Sequence, residues 1–212
     1  MIRPQLFFCF ISFSLFAQPK IDNVKVEKFC FELHNALRDS SRQRSVNLDC
    51  KKASDYQVNY LFQNNLITHD NINPGYERPS NRFEKFMSET VKVKDRDNPK
   101  ILHTHLKYKY DGEIATWSKG YEFKNDNLLE FNIANHIINN FINSPGHYSS
   151  MINVSCCDFK QNGYFSTKIR VLDYNETTKV FKLEIYCVAM FGTEYPYRNY
   201  YVYDPSTGRM ED

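Results

Sequence analysis

An α+β fold is predicted by two features of this 212-residue sequence: helix-period apolar stripes dominate its first half, and two long extended runs close it. Low counts of glycine (7) and proline (8), with 42% hydrophobic residues, fit a packed core and not a fibrous or disordered chain. In chain order, Val26, Phe29, Cys30, Leu33, Ala36 and Leu37 recur at three-to-four spacing and predict a helix over 24–43. Asp49 is expected to cap a second helix reaching about 64, with Ala53, Tyr56, Tyr60 and Leu61 inward. A shorter helix is expected over 81–87. The alternating run VKVKDRDNPKILHTHLKYKY, turned at DRDNP, predicts a hairpin over 91–110. DGEIATW then leads to a helix over 127–143 with Leu128, Phe131, Ala134, Ile138 and Phe141 inward. A Ser-Pro-Gly break comes next, then a short helical piece through Met151. YFSTKIRVL and VFKLEIYCVAMFG form the closing strands, and the tail carries Tyr195, Tyr197, Tyr200 and Tyr201, read as covering the sheet. Neither a repeat nor a low-complexity linker interrupts the chain, so one domain over 18–212 is expected.

A formal charge of +2, from 27 basic and 25 acidic residues with no dense Lys/Arg block, removes the case for an electrostatic nucleic-acid binder. The opening MIRPQLFFCFISFSLFA has one cation, an apolar run and a small residue before polar QPK. Too short to span a bilayer, it reads as a secretory signal over 1–17, cleaved after Ala17 and leaving no transmembrane anchor. Localisation is therefore expected to be secreted, periplasmic or in the cell envelope. Cys9 leaves with the signal; Cys30, Cys50, Cys156, Cys157 and Cys187 remain, enough for two disulfides of open pairing and one odd thiol. Metal spacing of the Cys-x-x-Cys kind is absent from the sequence, which argues against structural zinc. Asn153 and Asn175 sit in N-x-S/T sequons.

Three residues at element ends or loops stand out as candidates for chemistry: His69 past the second helix, Glu113 in DGEIA, and His147 at the corner after SPG. Two imidazoles and a carboxylate suit a divalent-metal site or a general acid/base pair. They equally suit a hydrogen-bonded staple between loops.

The ordered elements LHNALRD (33–39), VNLDCKKASDYQVNYLFQNNLITHD (46–70), GEIA (112–115) and FINSPGHYSSM (141–151) resemble those of the CAP superfamily. These are the cysteine-rich secretory, antigen 5 and pathogenesis-related 1 proteins, here in their compact bacterial SCP-like form. The resemblance covers about 34–192 and implies a three-layer α-β-α sandwich, with the hairpin near 91–110 as an extra. It also implies a cleft lined by His69, Glu113 and His147, able to take a divalent cation such as zinc. The family's second acidic cleft residue has no counterpart, Ser144 standing in that region, and Ile114 replaces the asparagine of the family's GEN element. The resemblance further implies an extracellular or envelope binding module for an apolar or sterol-like ligand, a glycan-bearing surface or a protein. The alternative is a metal-dependent hydrolase using the same three residues, with a zinc-bound water as nucleophile.

Other polar residues carry less. His103 and His105 would share a strand face, as a metal-binding pair can, but an exposed hairpin face explains them as well. His34 and Arg38, one turn apart, suit packing and a polar contact, and His136 among apolar neighbours suits a structural role. Ser144 beside His147 lacks the strained elbow and orienting acid of a nucleophilic serine.

Overall fold

The computed structural model describes residues 20–98, 100, 102–152, 160–194, 200–204, 207 and 209–211. The expected signal over 1–17, and Cys9, Cys156, Cys157, Asn153, Tyr195 and Tyr197, lie outside the described residues. The architecture is α+β, with five α-helices and two four-stranded sheets among the described residues.

Helix α1 (Asn23–Ala36) starts where the Asp22 carboxylate accepts the N–H groups of Val24 and Lys25, and a 3-10 turn at Ser40–Arg42 comes after it. Strand β1 (Ser45–Val46) leads into α2 (Leu48–Asn64). The cap of α2 is Asn47, whose side chain accepts from Asp49 and Cys50 N–H, and not Asp49 as the sequence suggested. Asp49 turns instead to Lys52 and to Ser88, whose N–H and hydroxyl it accepts at 2.9 and 2.6 Å. Left-handed Asn65 (φ 51°) ends the helix. Helix α3 (Pro79–Phe86) begins on a proline, which has no N–H to leave unsatisfied.

The expected hairpin is present as β2 (Thr90–Asp95) and antiparallel β3 (Leu102–Leu106). DGEIATW lies within one long strand, β4 (Tyr108–Lys124). Helix α4 (Leu129–Ile142) buries Leu129, Ile133, Ala134, Ile137, Ile138 and Phe141, whereas Leu128 and Phe131, expected inward, are exposed. Ile133 and Ile137 supply the stripe that those two were to fill, so the buried face is turned from the predicted one. Helix α5 (Pro145–Ile152) is next, then β5 (Gln161–Asn175) and β6 (Val180–Glu194), joined by a turn in which Asn175 Oδ1 accepts Thr177 and Thr178 N–H. Strands β7 (Tyr200–Asp204) and β8 (Arg209–Glu211) complete the second sheet.

The larger sheet runs β1-β5-β6-β4, with β6 antiparallel to both β5 and β4 and β1 parallel to β5; the smaller runs β3-β2-β7-β8. Alternation along β6 sends Leu183, Ile185, Cys187, Ala189 and Phe191 to a cluster with Val26 and Cys30 of α1 and Ile133 and Ile137 of α4. Tyr186, Val188 and Met190 face the other way, Val188 beside Val58 and Leu61 of α2 and Met190 beside Phe83 of α3. Both faces of β6 are therefore dry, and each fully buried Phe or Ile contributes about 1.5–3 kcal/mol. Gly163 and Gly192 lie where side chains cross the sheet: a Cβ on Gly192 would stand 2.7 Å from both Asn162 Oδ1 and the Phe83 ring.

Candidate functional site

The loop after α2 is held from beneath by a buried side chain. Gln57 donates to Thr68 O at 3.0 Å and accepts from Asn71 Nδ2 at 3.1 Å, which fixes the segment on either side of His69. Asp70 N–H bonds Thr68 Oγ1 at 3.0 Å and tightens the turn. The His69 side chain stays 46% exposed, with Nδ1 3.1 Å from Glu113 Oε1.

Glu113 occupies mid-strand in β4 opposite Met190, not a loop as the sequence suggested, and its side chain is fully buried. A buried carboxylate needs a partner, and α3 supplies one that sequence reasoning missed. Arg82, itself fully buried, directs Nη2 to both Glu113 oxygens at 2.8 and 2.7 Å and to His69 O at 2.7 Å. Its Nη1 donates to Tyr76 O at 2.9 Å. One guanidinium thus joins α3, β4, the His69 loop and the 76–77 backbone. An arginine adjacent to Phe83 on the buried face of a short helix was the available signal, but an arginine alone does not name its carboxylate.

His147 lies in the first turn of α5, because the SPG segment opens that helix at Pro145 and does not end in an isolated corner. Its ring sits edge-on to His69 with centroids 6.3 Å apart and edge-on to Phe141 at 5.4 Å. Burial and then the neighbouring His69 hold the His147 pKa below that of an ordinary histidine. Tyr110 stands near the same carboxylate, and burial followed by the Glu113 charge raises its pKa well above the phenolic range. The structure thus places all three sequence-derived residues together: His69 hydrogen-bonded to Glu113, and His147 across from His69.

The donor set does not fit a cation held by all three. Both Glu113 oxygens accept from Arg82, so a metal there would stand beside a fixed positive charge that already neutralises the carboxylate. Among the described residues, no group of three His, Cys, Asp or Glu side chains is arranged to hold a metal ion. What the site offers is an oriented imidazole, a second imidazole of lowered pKa, and the Phe141 ring beside it.

The remaining candidates have structural surroundings. His136 Nε2 lies 3.1 Å from Ser118 Oγ and 3.2 Å from Asn140 Nδ2. His34 Nε2 donates to Met151 O at 3.1 Å, and Arg38 bonds Met151 O, Gln161 Oε1 and Arg42 O, tying the end of α1 to α5 and β5. His103 and His105 share one half-buried face of β3, ring centroids 5.9 Å apart. Cys30, Cys50 and Cys187 are buried thiols. Among the described residues, no helix is long and apolar enough to cross a membrane. Comparison of the chain with protein-family models, with curated proteins and with solved structures finds no match.

Proposed function

We propose that this chain is a secreted, CAP-like binding module whose ligand enters the cleft between His69 and His147. The observation that carries this reading is the Arg82–Glu113–His69 staple: the carboxylate is bonded by a buried guanidinium at both oxygens and by an imidazole at Oε1, and so sets geometry. A general base must be free to take a proton, and a metal ligand must not face a fixed cation; Glu113, paired with Arg82, is poorly placed for either. The exposed edge of His69 and the ring of His147 are left to donate or accept one hydrogen bond each to a polar group on an otherwise apolar ligand. A three-layer α-β-α arrangement of the CAP kind is part of the proposal, supported by α1 and α4 packing on one face of the β5-β6-β4 sheet and α2 on the other. Export is supported by the apolar N-terminal run.

One observation favours the competing hydrolase: a carboxylate-oriented imidazole, His69 on Glu113 at 3.1 Å, is half of a general-base arrangement. The two readings separate in one set of titrations. A sterol sulfate, chosen as an apolar body with one polar head, is titrated calorimetrically into the protein and its His69→Ala and His147→Ala variants, beside zinc chloride and a chromogenic ester. Saturable sterol sulfate binding that both variants weaken, with ester turnover at the buffer rate, supports the module. Ester turnover that needs zinc and disappears in Glu113→Gln refutes it in favour of the hydrolase.

A further inference from the structure

Glu27, Cys30 and His34 recur at spacings of three and four on α1 and so form one stripe along the helix. Near the helix start, Glu27 Oε1 accepts the Thr167 N–H of β5 at 2.9 Å. Near its end, the His34 ring stacks on Phe191 of β6 at 5.3 Å and lies 5.4 Å from Phe165 of β5. Thr167 is paired with Cys187 across the β5–β6 register, and directly paired residues show their side chains on the same face. Cys187 therefore lies level with the Glu27 anchor, on the face of the sheet that α1 covers, and in the same buried cluster as Cys30. Both cysteines are wholly inaccessible free thiols in the structure; Cys30 Sγ lies 4.0 Å from Ala134 O of α4, and Cys30 is the neighbouring group that acts on the Cys187 thiol. Cys50 belongs elsewhere: it lies in the cluster on the other face of the sheet, its Sγ 3.4 Å from Asn162 Oδ1.

We propose that Cys30 and Cys187 are a disulfide pair, stapling α1 to the central strand β6. Closure in the cell rests on the reading of the chain as exported to an oxidising compartment. The oxidant is a disulfide, glutathione disulfide or that of an exchange protein. One cysteine thiolate attacks a sulfur of that disulfide, forming a mixed disulfide and releasing one thiolate; the second cysteine thiolate then displaces the other. Two protein thiols lose two electrons, the oxidant becomes two thiols, and the cysteine protons pass to the departing thiolates. Neither sulfur is accessible in the folded chain, so exchange takes place before α1 settles on the sheet. The closed bridge then lies in a dry core that reductants reach only on unfolding.

The test uses the full chain, reduced in denaturant, refolded with a reduced and oxidised glutathione mixture, alkylated and digested with trypsin without reduction. The expected product is one linked pair: the peptide over 29–38, which holds Cys30, with the peptide over 183–198, which holds Cys187. Both cysteines recovered as alkylated thiols, or either joined to a peptide holding Cys50, Cys156 or Cys157, would overturn the assignment. As a second readout, reductant present during refolding lowers the melting midpoint of the wild-type chain and leaves that of Cys30→Ala/Cys187→Ala unmoved. An equal shift in both chains counts against the bridge. Recovery of the chain from its own cells with these thiols reduced, when the refolded chain is bridged, overturns export and leaves the pairing standing.

Discussion

Replacing Arg82 by methionine removes a guanidinium that makes three hydrogen bonds of 2.7–2.8 Å through Nη2, two of them to Glu113, from a fully buried position. Methionine keeps most of the apolar stem volume, so the change is chiefly electrostatic. What remains is a buried carboxylate hydrogen-bonded to the His69 imidazole and without its cation, and the carbonyls of His69 and Tyr76 lose donors. Breaking a buried ion pair from one side costs about 3–5 kcal/mol, because the surviving charge keeps its desolvation penalty and loses its partner. Set against an ordinary domain stability of roughly 5–15 kcal/mol, that loss is large and measurable by urea unfolding followed by far-ultraviolet circular dichroism. Arg82→Met/Glu113→Leu removes both charges, and its loss is expected to be well below the sum of the two single losses, since no lone charge is left in the core. An Arg82→Met loss under about 1 kcal/mol, or a double variant no better than additive, would show that water or another side chain compensates Glu113 and that the staple is not what holds His69 in place.

Acid should weaken the fold through His34. Burial, then the charges of Arg44 and Arg38, push its pKa from 6.5 down to about 3. The unfolded chain binds that proton first, so the contribution is whole above pH 6.5 and is lost as pH falls towards about 3. His34→Gln is expected to flatten the slope of unfolding free energy against pH across this window; an unchanged slope in urea titrations would contradict the assignment. For His147 the sign is the same, and one of its causes is separable: His69→Gln removes the neighbouring imidazole that lowers its pKa and should move the His147 titration upward by NMR. No upward movement would mean that the two rings do not sense each other. Gly192→Ala should cost about 1–3 kcal/mol, because its Cβ would stand 2.7 Å from Asn162 Oδ1 and the Phe83 ring; a neutral result in thermal unfolding would mean that the crossing is looser than the structure has it.

Local patterns that stay within one element are legible in the residues alone. The existence of α1, the extent of α2, the β2–β3 hairpin and the paired β5 and β6 all arise from apolar period and turn chemistry, which act over a few neighbouring residues; α1 however ends at Ala36 and not near 43, and it buries Val26, Glu27, Cys30 and His34 while Ala36 and Leu37 are exposed. Strand β4 is harder to see, because register shifts at Tyr110/Gly112 and Lys119/Tyr121 break its alternation twice and DGE reads as a turn. That break hides the setting of Glu113: a residue that reads as a loop carboxylate is a buried mid-strand one. The face of α4 is ambiguous for a related reason, since a helix this rich in apolar residues admits more than one stripe and the sheet selects Ile133 and Ile137 over Leu128 and Phe131.

Read along the chain, the residues supply an inventory: two histidines and a glutamate near element ends, five cysteines beyond the N-terminal apolar run, and the order of helices and strands. The partnerships among them belong to the packed molecule. Arg82 is 31 positions from Glu113 and on a different element, yet it sets what that carboxylate can do. Cys30 and Cys187 share one buried cluster because α1, anchored through Glu27 and His34, docks across β5 and β6. The reason is physical. Propensity and periodicity are near-neighbour effects, whereas the cost of burying charge without a partner is settled by whichever residues the packed core brings within about 3 Å.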